Sequence, residues 1–160
     1  MSGPDPVLSA APWERHVLAD PPAVVPTLRR ELVAYARFLG ASDRTCDAIA
    51  LAVSEALTNI VRHAYVGQEP GPIIVEALLE GRNQLLLRVS DEGRGPTPRA
   101  DSPGLGLGLG VMAQTADDFS ISNRQETRGT VVTLGFSLPD CDPISQEWVA
   151  ARNVDRNVHS

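Results

Sequence analysis

Ile73-Ile74-Val75-Glu76-Ala77-Leu78-Leu79-Glu80-Gly81-Arg82-Asn83-Gln84-Leu85-Leu86-Leu87-Arg88-Val89-Ser90-Asp91 is the stretch that decides the fold. Ile73, Val75, Ala77 and Leu79 alternate with Glu76 and Glu80, a period of two that suits a strand with one wet face. Gly81-Arg82-Asn83 predicts a hairpin turn, and Leu85, Leu87 and Val89 continue the buried face on the return strand. The same alternation carries Asp91 to their side of the sheet, where a carboxylate needs hydrogen-bond partners.

Upstream of the hairpin the period is helical. Cys46, Ile49, Ala50, Val53, Leu57, Ile60, Val61 and Ala64 form one long apolar stripe. Ser42 is placed to cap that helix and Asp43 to favour its positive end. Gly67 and Pro70-Gly71-Pro72 close it. Before it, Val25, Leu28, Leu32, Tyr35, Ala36 and Leu39 repeat at helical spacing, with Arg29, Arg30 and Arg37 off the stripe. Pro21, Pro22 and Pro26 bracket the start of this first helix, and Gly40 suits its C′ position. Trp13 to Ala19 predicts a short first strand. Downstream, Asp118 to Arg124 predicts a strand with Phe119 and Ile121 inward. Thr130, Val132, Leu134, Phe136 and Leu138 predict the last one. The expected architecture is an α+β two-layer sandwich, one layer of helices on a mixed, mainly antiparallel sheet. Strict βαβ alternation is missing, which weighs against a Rossmann domain.

Bulk composition narrows the function classes. The chain has 160 residues, 42% of them hydrophobic and 21% charged, which is globular and fits one domain. Its net charge of −6 repels phosphate backbones, so nucleic acid is not expected as a direct partner. Cys46 and Cys141 belong to no metal-ligand cluster, and Cys46 falls at an apolar helix position. Residues 1–12 carry neither a basic region nor an apolar run, so no secretory leader is expected. No apolar run approaches the roughly 18 residues of a membrane span. The expectation is a cytoplasmic protein without a membrane segment, divided into a loose arm (1–12), a folded domain (13–139) and a tail (140–160) that Trp148 could anchor.

Three segments carry chemistry. In Val53-Ser54-Glu55-Ala56-Leu57-Thr58-Asn59, Glu55 and Asn59 are four apart and share a helix face. A carboxylate beside an amide oxygen suits a hydrated Mg²⁺ and a hydroxyl nucleophile, although such pairs also occur on ordinary exposed faces. In Asp91-Glu92-Gly93-Arg94-Gly95, a buried carboxylate could accept from an exocyclic amine while the glycines admit a flat base; a simple turn after a strand is the other reading. Gly104-Leu105-Gly106-Leu107-Gly108-Leu109-Gly110 runs into Val111-Met112-Ala113-Gln114. Its backbone N–H groups and the helix behind them suit phosphate oxygens. No Walker Lys-Ser/Thr follows and no buried strand leads in, so neither a P-loop nor a dinucleotide fold fits. Arg128-Gly129-Thr130 is a smaller element, in which the Thr130 hydroxyl could join Asp91 or simply fill the strand.

In this order the segments resemble the ATP-binding fold of gyrase, sensor histidine kinases and their relatives (the Bergerat or GHKL fold). Ser54 to Asn59 followed by Arg62-His63-Ala64-Tyr65 resembles its anti-sigma-factor serine kinase branch, the RsbW and SpoIIAB type. The match runs from about Val24 to Leu138. The resemblance implies ATP and Mg²⁺ as cofactors, with Asn59 as metal ligand and Glu55 as catalytic base or orienter. It implies that Asp91 recognises the adenine amine, that Gly93 and Gly95 shape the pocket, and that Thr130 backs the base. Gly106, Gly108 and Gly110 would lie along the phosphates. It further implies phosphorylation of a serine on a STAS-type anti-anti-sigma protein and sequestration of a sigma factor, by a homodimer. The alternative is an ATP-binding regulatory module that acts by protein contact without phosphotransfer. The short Pro-rich lid offers only Arg94 and Arg99 as cations, few for a reaction driven by charge stabilisation. His63 is expected at a helix-end surface rather than on phosphate.

Overall fold

The computed structural model describes residues 12–20, 23–95, 107–124 and 127–139. Among the described residues five strands and three helices follow one another as β1 (Trp13–Leu18), α1 (Val24–Phe38), α2 (Asp43–Asn59), a π-helical turn (Ile60–Ala64), β2 (Pro72–Glu80), β3 (Gln84–Asp91), α3 (Leu107–Thr115), β4 (Asp118–Asn123) and β5 (Thr130–Ser137). The strands form one sheet in the order β1-β2-β3-β5-β4. All four pairings are antiparallel, so the mixed element expected of the sheet is not used. The long connection from β3 through α3 to β4 lets β5 insert between β3 and β4.

Local chemistry explains most of the boundaries. Ser42 adopts an extended conformation and its Oγ accepts the Thr45 N–H at 3.1 Å, a side-chain cap on α2. Gly40, at φ +92°, ends the first helix, with its N–H on the Arg37 carbonyl and the Ala41 N–H on the Ala36 carbonyl. Pro26 is tolerated because it lies in the first turn of α1. The hairpin pairs Glu80 with Gln84 and Ile73 with Asp91, and Gly81 supplies the left-handed residue of its turn.

Leu28, Leu32, Tyr35 and Ala36 of α1, and Ile49, Ala52, Val53, Ala56 and Leu57 of α2, share one buried core with Ile73, Val75, Ala77, Leu85, Leu87, Val89, Leu134 and Phe136 of the sheet. Helix α2 is central, flanked by α1 and α3. Trp13 packs on Tyr35, ring centroids 6.5 Å apart.

Four local expectations are corrected. Ala50 is only half-buried; Ala52 and Ala56 take its place in the stripe, because α2 is central and its buried face is wide. The strand predicted to reach Arg124 ends at Asn123. Ile121 pairs with Val132 on the inner side but is 39% exposed, because β4 is an edge strand. Helix α3 starts at Leu107, earlier than the glycine-rich sequence suggests, so Gly108 and Gly110 are helical rather than part of a loop. The lid around Arg99, together with Gly104, Gly106, Cys141 and Trp148, lies outside the described residues.

Candidate functional site

Asp91 ends β3 on the helix side of the sheet, as the alternation requires, and is 3% exposed. Its carboxylate is not left bare. Oδ1 accepts the Gly93 N–H at 2.8 Å, and the backbone N–H of Thr130 also donates to the carboxylate. Thr130 thus supports Asp91 through its main chain, where the sequence suggested its hydroxyl. Burial pushes the Asp91 carboxyl above its ordinary value, and these two N–H groups and the Arg124 charge oppose that shift without cancelling it. A buried acceptor of this kind is suited to a donor arriving from a ligand.

The loop after Asp91 is seated on the end of the second helix. A Cβ on Gly93 would stand 2.2 Å from the Ala64 carbonyl oxygen, so only glycine fits. The Arg94 N–H donates to that same oxygen at 3.0 Å, and the Arg94 guanidinium donates to the Val66 carbonyl at 2.8 Å. Both carbonyls belong to a helix exit, where intrahelical donors have run out. Gly129, at φ +129°, lies equally close to the Asp91 backbone, and Gly95, at φ +81°, faces Gly129 and Asn123. A cavity of about 320 Å³ adjoins this loop, lined by Arg94, Gly95, Asn123, Thr127, Arg128 and Gly129. Arg124 is engaged elsewhere, 3.1 Å from Glu92.

On the other side, Glu55 and Asn59 share a half-buried face of α2, five residues and fewer before the π-helical turn. Helix α3 crosses that face. A Cβ on Gly108 would lie 2.7 Å from Glu55 Oε2 and 3.6 Å from Asn59 Nδ2, so Gly108 is the point of close approach. Gly110 has nothing within 4 Å of its Cβ position. Glu55, Asn59 and Gly108 are therefore one cluster, and Asp91, Gly93, Gly95, Gly129 and Thr130 another, joined through the stretch from Asn59 to Ala64. His63 is exposed, as expected.

Asn59 and Glu55 offer the oxygens to hold a divalent ion. Among the described residues no group of three or more His, Cys, Asp or Glu forms a complete metal site.

Three residues that the sequence reading quoted without a place in the site, Ala64, Tyr65 and Gly71, hold the loop after Asp91. Tyr65 donates its hydroxyl to the Pro72 carbonyl at 2.6 Å and accepts the Glu92 N–H at 2.8 Å. Gly71 lies under its ring, where a Cβ would be 2.2 Å from Cε1. Ala64 is the small residue against which Gly93 packs. Their only signal was adjacency, Ala64-Tyr65 following the Glu55/Asn59 segment and Gly71 standing between two prolines.

Comparison with known proteins bears on the family and the fold. The profile of the histidine kinase-like ATPase domain family matches residues 18–136. The serine-protein kinase RsbW of Listeria monocytogenes is 42% identical over 72 residues, 45% of each chain, so the match spans about half the length of that relative. The anti-sigma F factor of Clostridium botulinum is 32% identical over 117 residues, 64% of this chain and 80% of that one. The crystal structure of the RsbU and RsbW domains of a Mycobacterium tuberculosis protein superposes with a TM-score of 0.61 at 24% identity, over 82% of this chain and 34% of that one. That last likeness bears on the fold alone.

Proposed function

Because the chain belongs to the histidine kinase-like ATPase domain family, we propose that it is an ATP-dependent serine kinase and anti-sigma factor, built as one domain over residues 13–139. The observation that carries the reading is the buried Asp91 carboxylate, held by two backbone N–H groups and flanked by glycines whose missing side chains keep its surroundings open. A carboxylate so fixed accepts a hydrogen bond from the adenine amine and repels the carbonyl that guanine has in that position. Asn59 supplies an amide oxygen for Mg²⁺, which when bound neutralises charge on the transferring phosphoryl group. Glu55, one turn away on the same face, orients or deprotonates the attacking serine hydroxyl. Gly108, against Glu55, brings the first turn of α3 to that spot, where backbone N–H groups and the helix dipole favour phosphate oxygens.

The names of the relatives, a serine-protein kinase and anti-sigma F factors, support a serine acceptor and a sigma factor as the sequestered protein; a STAS-type protein as the bearer of that serine is what the family resemblance implies. A homodimer in the cytoplasm completes the reading. Among the described residues no helix is long and apolar enough to cross a membrane.

Incubation with labelled ATP, Mg²⁺ and candidate STAS proteins tests it, with phosphoserine on the partner as the expected product. ATP binding and partner binding without phosphoserine would select the contact-only regulator instead. No Mg·ATP binding at all would overturn both.

A further inference from the structure

We infer that Tyr65 is a positioning residue for adenine selection: its hydroxyl holds the Asp91-Glu92-Gly93 loop in the register that aims the Asp91 carboxylate. The inference rests on the nucleotide reading above and adds to it a residue that touches neither base nor phosphate.

The argument starts from what would otherwise hold that loop. Strand pairing ends at Ile73 and Asp91, so Glu92 has no ladder partner. Its N–H instead goes to the Tyr65 Oη at 2.8 Å, and the same hydroxyl donates to the Pro72 carbonyl at 2.6 Å. One hydroxyl thus ties the first residue of β2 to the first residue beyond β3, across the mouth of the hairpin. Tyr65 itself follows the π-helical turn, whose last carbonyl, Ala64, takes the Arg94 N–H. Two consecutive residues at the end of the Asn59 helix therefore grip two alternate residues of the Asp91 loop. Between those two grips lies Gly93, whose N–H donates to Asp91 Oδ1. If Glu92 is released, Gly93 can turn and the carboxylate loses the donor that fixes its rotamer.

The ring is held as firmly as the hydroxyl. Gly71 leaves room for it where a side chain would overlap. Burial raises the Tyr65 hydroxyl above its ordinary value, as do the charges of Asp91 and Glu92, so it remains a protonated donor to Pro72.

Tyr65→Phe keeps the ring and removes only the bridge. Mg·ATP and Mg·GTP dissociation constants, measured by calorimetry for the parent, Tyr65→Phe and Leu28→Ala, separate positioning from stability. The expected result is a fall of about 3- to 10-fold in the ATP-over-GTP preference of Tyr65→Phe, the scale of one hydrogen bond acting on one other. Leu28→Ala, which opens a cavity in α1 and lowers the melting temperature, keeps the parental ratio. A parental ratio in Tyr65→Phe overturns the inference alone, as does an equal loss in Leu28→Ala. A parent that binds ATP and GTP equally overturns the Asp91 reading, and this inference with it.

Discussion

Gly93→Ala is the sharpest test of how the candidate site is assembled. The added Cβ would stand 2.2 Å from the Ala64 carbonyl oxygen, 2.6 Å from the carbonyl carbon and 2.8 Å from the Ala64 Cβ. Carbon–oxygen contacts settle at about 3.3 Å or more, so the two backbones must separate by about 1 Å. That separation stretches the Arg94 N–H bond to the Ala64 carbonyl, 3.0 Å, out of hydrogen-bonding range, whereas the Gly93 N–H bond to the Asp91 carboxylate lies within the loop and moves with it. The lost neutral hydrogen bond costs about 1 kcal/mol and the overpacking against backbone about 1–3 kcal/mol more, so the loss is about 3 kcal/mol. That is a large part of the roughly 5–15 kcal/mol by which a domain is stable. It corresponds to a melting temperature lower by about 10 °C for a chain of this size. Urea denaturation followed by circular dichroism measures the free energy, and Mg·ATP titration of the folded variant measures the binding it retains. Gly93→Ala is expected to lose both stability and affinity. A variant within about 0.5 kcal/mol of the parent, the range of an ordinary surface change, would refute the contact between the Asp91 loop and the helix end.

Gly110→Ala should do the opposite. It lies within α3 with open space at its Cβ position, so alanine should stabilise by about 0.5–1 kcal/mol without clash; a drop in melting temperature would show that this glycine is needed for close approach. Glu55→Gln should leave Mg·ATP affinity within about threefold and lower phosphotransfer by about 100-fold or more, the usual scale of a general base. Retained transfer to a serine acceptor removes that role from Glu55. Asp91 also makes a prediction about pH. Burial raises its native value above the ordinary 3.8, so the native chain holds this proton more tightly than the unfolded one. Its contribution to stability is complete below about pH 3.8 and is lost as pH rises through the raised native value. The stability of the parent minus that of Asp91→Asn, from urea denaturation across that window, should therefore fall with rising pH. A difference that grows would mean that the Gly93 and Thr130 donors outweigh burial.

Much of this molecule is determined by order along the chain. The hairpin from Ile73 to Asp91, the Ser42 cap, the Gly40 terminus and the inward face of Asp91 depend on side-chain alternation and on groups a few residues apart. Such interactions are complete within a short segment, so their residues announce them. The Glu55/Asn59 pair is of the same kind, since four residues is one turn of helix. The tertiary structure alone decided the insertion of β5 between β3 and β4, and the packing of Gly108 on Glu55. It also decided the seating of Gly93 on Ala64 and the double use of the Tyr65 hydroxyl. Apart from the Tyr65–Pro72 half of that bridge, each of these joins residues 27 or more apart in sequence, or depends on which strand lies beside which. The physical reason is that a glycine chosen for lack of bulk looks the same, in sequence, as one chosen for a turn. What distinguishes them is the atom that arrives from elsewhere in the fold.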